Sequence, residues 1–221
     1  MYKHSFKITF GLLLLLGSFW VSAQIPASKK MECALALQKK PAELLDSLTL
    51  DTLTGHTNLQ EALKNPDAVI KLVLRKQHLK SFPKDILKFK HLQYLDISKN
   101  SIAELPDSIG TLTDLQYFAC SKTGLQRLPK EIGKLTNLTY LNLNQNDLEY
   151  LPLQIGNLEK LEYLDLWSNN FNEYPSSFAS LKSLRVLDLR NILISDEVQT
   201  SIQNMLPKAK VYMSPSCKCK W

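Results

Sequence analysis

Pro83, Pro106, Pro129, Pro152 and Pro175 stand 23 residues apart, and the residues around them recur in the same phase. A period of this length decides the fold before local propensity acts, because each unit buries its apolar side only by stacking on its neighbour. Aligned in one phase, the stretches beginning at Val69, Leu92, Leu115, Leu138, Leu161 and Leu184 share an L-x-x-L-x-L opening, with other apolar residues allowed. Asn, Gln or Thr usually follows three residues later. The most regular copy runs through Leu138, Leu141, Leu143, Asn146, Leu148, Leu151, Pro152, Ile155, Gly156 and Leu158. Positions within a coil are counted from that first apolar residue.

Each unit is expected to form one short strand and a return segment, with positions one, four and six facing inward. Leu72, Leu95, Phe118, Leu141, Leu164 and Leu187 then form one apolar column. Parallel strands lie roughly 4.7 to 4.9 Å apart, so six coils make a sheet on the order of 25 to 30 Å wide. Asn100, Asn146 and Asn169 at position nine, with Gln77 and Thr123 as substitutes, are placed to satisfy the turning backbone with side-chain amides or a hydroxyl. The prolines fix the backbone where the strand side gives way to the convex side, and Gly110, Gly133 and Gly156 allow tight or left-handed geometry there. All of these residues read as structural.

The unbroken LxxLxLxxNxLxxLPxxIGxL of the fourth coil, repeated in register over Val69 to Asn191, resembles the leucine-rich repeat family. It is similar to the branch with LPxxIGxL repeats seen in Ras-pathway scaffolds, plant disease-resistance proteins and many exported bacterial proteins. The resemblance implies an α/β repeat fold: a curved right-handed solenoid with a parallel concave sheet and helical N- and C-terminal caps. It also implies binding of a protein or peptide through the concave face, without catalysis. The alternative is a glycan-binding or cell-envelope structural protein, in which Tyr and Trp stack on sugar rings.

The open ends of such a stack require caps. Residues 24–68 read as a lead-in and N-terminal cap, helical around Ala42 to Leu48, with a Thr57/Gln60 capping box, an apolar face of Leu59, Ala62 and Leu63, and Pro66 as the stop. Residues 69–191 carry five full coils and one partial coil. In residues 192–221 the Asn position has become Ile192, and Ser195 to Leu206 places Val198, Ile202 and Met205 at helical spacing before a strand over Val211 to Met213. At the other end, Lys3, His4 and Lys7 precede an apolar run from Ile8 to Val21 that closes on Val21, Ser22 and Ala23. This is the pattern of a secretory signal peptide over residues 1–23, and the run is shorter than the roughly 18 to 20 residues a membrane span needs. The expected location is secreted or periplasmic, with no stable membrane span after cleavage.

Composition narrows the function classes. The net charge of +6 falls to +4 when a leader carrying two lysines and no acids is removed, a balance that gives no reason to expect nucleic acid. Cys120 sits at an inward position and reads as a small core residue, whereas Cys33 precedes the repeats and Cys217 and Cys219 share the tail. The tail pair is read as a local or intermolecular disulfide rather than a metal site, since no His or acidic residue there completes a ligand set. No phosphate loop, GxSxG elbow, HExxH or paired CxxC spacing is present, and the four histidines fall at unrelated phases. No cofactor or metal is expected.

Candidate partner-binding residues therefore come from positions two, three, five, seven and eight. Tyr94, Tyr117, Tyr140 and Tyr163 form an outward column at position three, and such rings combine apolar area with a hydroxyl donor. Trp167 falls beside Asn144 and Arg190, a pairing typical of binding hot spots. Lys76, Lys99 and Lys122 align on the first three coils, and Asp96, Asn142, Asp165 and Asp188 share position five. Asp165 and Asp188 are neighbours, and paired acids can serve as acid and base, but nearby Arg190 favours charge compensation on a binding surface.

Overall fold

The structure, a computed structural model, describes residues 43–216. The expected signal peptide, Cys33 and the Cys217/Cys219 pair lie outside the described residues. Seven strands form one parallel sheet in sequence order: β1 (Lys71–Val73), β2 (Tyr94–Asp96), β3 (Tyr117–Ala119), β4 (Tyr140–Asn142), β5 (Tyr163–Asp165), β6 (Val186–Leu189) and β7 (Lys210–Met213). Consecutive parallel neighbours require a crossover in every coil, and the twist of L-residue strands makes such crossovers right-handed. The register is strict. Leu72 pairs with Leu95, Phe118, Leu141, Leu164, Leu187 and finally Val211. All of these except Val211 are 0% exposed, so the column read from the period is the core of the solenoid.

The return segments are short 3-10 helices, from Lys84–Lys88 to Ser176–Ser180, each preceded by its proline at φ between −66° and −73°. Proline's fixed φ suits a segment that must turn without donating a backbone bond. Gly110, Gly133 and Gly156 are needed for close approach rather than for left-handed backbone. A Cβ on Gly133 would lie 2.5 Å from the Gln154 carbonyl oxygen of the next coil, and one on Gly156 would lie 2.6 Å from that of Ser177.

The position-nine amides join adjacent coils. Asn146 Oδ1 accepts from the Thr123 and Leu125 amides at 2.9 and 3.1 Å, and its Nδ2 donates to the Cys120 and Leu143 carbonyls at 2.7 and 2.9 Å. Asn100 repeats this pattern one coil away, bonding Gln77 and Leu79 on one side and Leu74 and Ile97 on the other. Such buried amides satisfy backbone groups that would otherwise cost about 1–3 kcal/mol each. Left-handed backbone appears instead at position eight, where Lys76, Lys99, Lys122, Gln145, Ser168 and Asn191 all have φ between 53° and 59°.

The N-terminal end differs from the sequence reading in three places. The lead-in helix α1 spans Ser47–Thr52, starting later than expected, because the Asp46 carboxylate caps the Thr49 amide. In the next helix, α2 (Leu59–Ala62), the cap is Asn58 rather than Thr57: its Oδ1 accepts from the Gln60 and Glu61 amides at 2.9 and 3.1 Å. Thr57 is engaged elsewhere, its carbonyl accepting from the Gln77 side chain. Pro66 does not end that helix but opens a 3-10 turn over Pro66–Ala68. At the C-terminal end Ser195 caps α3 (Asp196–Met205), Ile202 is buried beneath it, and β7 forms the last edge of the sheet.

Candidate functional site

The outward face is built by the strict register. Tyr94, Tyr117, Tyr140 and Tyr163 pair directly across neighbouring strands, and their rings stack with centroids 3.9, 4.4 and 4.6 Å apart and interplanar angles of 2°, 6° and 2°. These separations are smaller than the roughly 4.7–4.9 Å between strands, which follows if the sheet curves toward this side. The Lys71 ammonium closes the stack at one end, 4.3 Å from the Tyr94 centroid. Burial raises all four phenols, Tyr163 to about 12, so they remain protonated and able to donate throughout the neutral range.

Part of the face is already covered. Leu45 donates its amide to Gln93 Oε1 and accepts from Gln116 Nε2 through its carbonyl, both at 2.9 Å, while those two side chains bond each other at 3.0 Å. Lys71 Nζ donates to the Leu50 and Asp51 carbonyls at 3.0 and 2.9 Å, fixing the end of α1, and Leu50 is 3% exposed. The lead-in thus lies as a strap along the position-two side of the first coils. Between it and the tyrosines runs a groove of about 440 Å³ lined by Leu50, Asp51, Gln116, Tyr117, Tyr140 and Tyr163.

Position five is not an open binding surface. Asp96, Asp165 and Asp188 are buried, and each accepts the amide two residues ahead: Ser98 at 2.8 Å, Trp167 at 3.0 Å and Arg190 at 3.1 Å. Asn142 does the same for Asn144 at 3.1 Å. These side chains close the turn after each strand, which is the Asx habit of bonding backbone two residues on. Asp165 also accepts from Asn144 Nδ2 at 2.6 Å, and desolvation nevertheless raises its carboxyl above the usual range. Arg190 turns back onto its own coil, donating to both Asp188 oxygens, with Nη2 2.6 Å from Oδ2. Its guanidinium lies 5.4 Å from the Tyr212 ring, a neighbour supplied by the terminal strand.

Trp167 is half-buried, and Ser168 beside it donates its amide to the Arg190 carbonyl at 3.0 Å, so Trp167 and Arg190 lie on adjacent coils. Lys99 and Lys122 are exposed in line with Lys76, and Arg75 lies beside them. The structure therefore separates the sequence candidates. The four tyrosines, Trp167, Lys99 and Lys122 remain available at the face, whereas Asp96, Asn142, Asp165 and Asp188 are committed to the turns. The glutamine clamp was not among the expected residues. Its only sequence signal was the Gln93/Gln116 pair at position two of adjacent coils.

Cys120 is fully buried with its Sγ 3.3 Å from Thr123 Oγ1, and desolvation pushes its thiol up to about 12, which makes it an inert core residue. No helix among the described residues is long and apolar enough to cross a membrane.

Comparison with known proteins places this geometry. A family described as a leucine-rich repeat region matches residues 69–141 and 119–206. A leucine-rich repeat protein of Leptospira interrogans is 31% identical, with a TM-score of 0.62, over 74% of this chain and 49% of its own. The plant peptide hormone receptor RGFR1, solved in complex with RGF2, is 26% identical at a TM-score of 0.57 over 66% of this chain and 24% of the receptor. Internalin C2 of Listeria monocytogenes shares the fold at 20% identity and a TM-score of 0.57, over 74% of this chain and 71% of its own. The chain thus spans about half the length of the Leptospira protein and a quarter of the plant receptor. No curated protein matches the sequence.

Proposed function

The chain belongs to the leucine-rich repeat family, and from that premise we propose that it binds a peptide or an extended protein segment through its concave face, outside the cytoplasm, without catalysis. The observation that carries this reading is the unbroken stack of Tyr94, Tyr117, Tyr140 and Tyr163 beside an open groove. Four rings held in register form a rigid amphipathic strip whose ordering cost is met on folding, and preorganised aromatic surface is what binding sites favour. The phenols supply hydroxyl donors along the strip, and Trp167 provides the larger apolar contact toward the C-terminal coils. The plant receptor solved with a peptide hormone supports the mode of binding and leaves the partner open. Export rests on the residues 1–23 pattern alone.

Selection of a random peptide display library on the full-length protein tests this proposal. Enriched peptides are expected to lose binding to Trp167→Ala and Tyr140→Ala while keeping it to Leu153→Ala, whose side chain is 63% exposed on a return segment. Peptides insensitive to the two concave substitutions, or no enrichment at all, contradict it.

A further inference from the structure

We infer that the lysine column of the first three coils receives an acidic stretch of the partner, a reading that rests on the concave-face function proposed above. Position eight is left-handed in every coil, and among side chains Asn adopts that backbone most readily; the last coil has Asn191 there. Lys76, Lys99 and Lys122 take the same backbone with no such local advantage. Electrostatics does not favour the choice either. Arg75 first, then Lys76, and after burial Lys122, hold the Lys99 ammonium below its ordinary value. The carboxylate facing this group, Asp96, lies 3.5 Å from Arg75 and is also engaged by the Ser98 amide, so one buried acid stands against four cations.

Solubility does not explain the pattern. The return segments already place Lys84, Lys88, Lys130 and Lys134 at exposed positions without left-handed backbone. Three lysines stacked where both backbone and mutual repulsion disfavour them point to a negative charge supplied from outside the chain.

The strap decides where that charge arrives. It covers the position-two side of the first coils through Leu45, Leu50 and Asp51, so a segment crossing those coils is left the opposite side, along the lysines. Three adjacent strands spaced roughly 4.7–4.9 Å apart give a column about 10 Å long, the length of about three extended residues. A row this short suits a few carboxylates. Long polyanions such as nucleic acid are disfavoured by so short a row and by a net charge of only +4 without the expected leader, from 6 − 2. Lysine, a point charge without a planar fork, suits carboxylates that approach singly.

The test is fluorescence anisotropy of labelled hexaglutamate against the full chain and the triple variant Lys76→Gln, Lys99→Gln, Lys122→Gln. Gln145 already occupies the same position in the fourth coil, so the variant is expected to fold with an unlowered melting temperature. Hexaglutamate is expected to bind saturably and to weaken about tenfold or more in the triple variant and at raised salt, while hexaglutamine does not bind. Absent binding, undiminished binding by the variant, or tighter binding of a short RNA or heparin oligosaccharide overturns the inference. The display selection separates the two proposals. Enriched peptides that depend on Trp167 but carry no acids leave the concave-face function standing and remove the acidic partner. Acidic peptides that need the lysines but not Trp167 overturn the concave-face strip instead.

Discussion

At the scale of single residues, side chains that look alike in phase have different roles. Trp167 is half-buried on the fifth coil, four residues beyond Tyr163, and its backbone bonds to Asp165 and Gln145 do not depend on its ring. Trp167→Ala is therefore expected to weaken a selected peptide by about 2 kcal/mol or more, as hot-spot truncations do, with a nearly unchanged melting temperature. Isothermal titration of the peptide against both proteins checks this, and equal affinity removes Trp167 from the site. Asp165 makes the opposite case. Its folded carboxyl is raised by desolvation, so the stability it contributes is present below the ordinary value near 3.8 and is lost as pH rises through the folded value. Compared with Asp165→Asn, which resembles the native Asn142, the wild type should lose stability as pH climbs from about 3 to 7. Denaturant unfolding across that range checks the sign, and parallel curves contradict it.

At the scale of elements, the coil's internal design and the C-terminal helix and strand were largely legible, and the N-terminal strap was not. The apolar column, the position-nine amides and the prolines all follow from a period of 23 residues, because one register fixes every coil at once. Position five misled for a local reason. Alternation places Asp96, Asp165 and Asp188 outward, but a short acidic side chain at a strand's end bonds the turning backbone two residues on. The strap was hidden because its contacts join residues 48 and 71 apart, through side chain to backbone bonds that leave no periodic trace. Position eight gave a partial signal in Asn191 alone, which lysine in the first three coils obscured. The return segments offer a direct check. Gly133→Ala would drive a Cβ against the Gln154 carbonyl and force two coils apart, so it should lower stability by about 1–3 kcal/mol in chemical denaturation. A neutral result would show that the coils are less closely stacked.

At the scale of the whole molecule, stability is shared between nearest neighbours, and so is the surface. Leu141 lies mid-column between Phe118 and Leu164 and is 0% exposed. Leu141→Ala opens a cavity that coils on both sides line, and should cost about 2–5 kcal/mol of unfolding free energy. A loss below about 0.5 kcal/mol, the level of surface substitutions, would contradict its placement. The same stacking that buries this column fixes the tyrosines on the outer side, so fold and binding strip share one register. The most direct test is hydroxyl-radical footprinting of the full chain with and without a saturating selected peptide. Tyr117, Tyr140, Tyr163 and Trp167 are expected to lose labelling together, while Tyr150, 44% exposed away from the strip, keeps it. Protection of Tyr150 with an unchanged tyrosine column would contradict binding through the concave face.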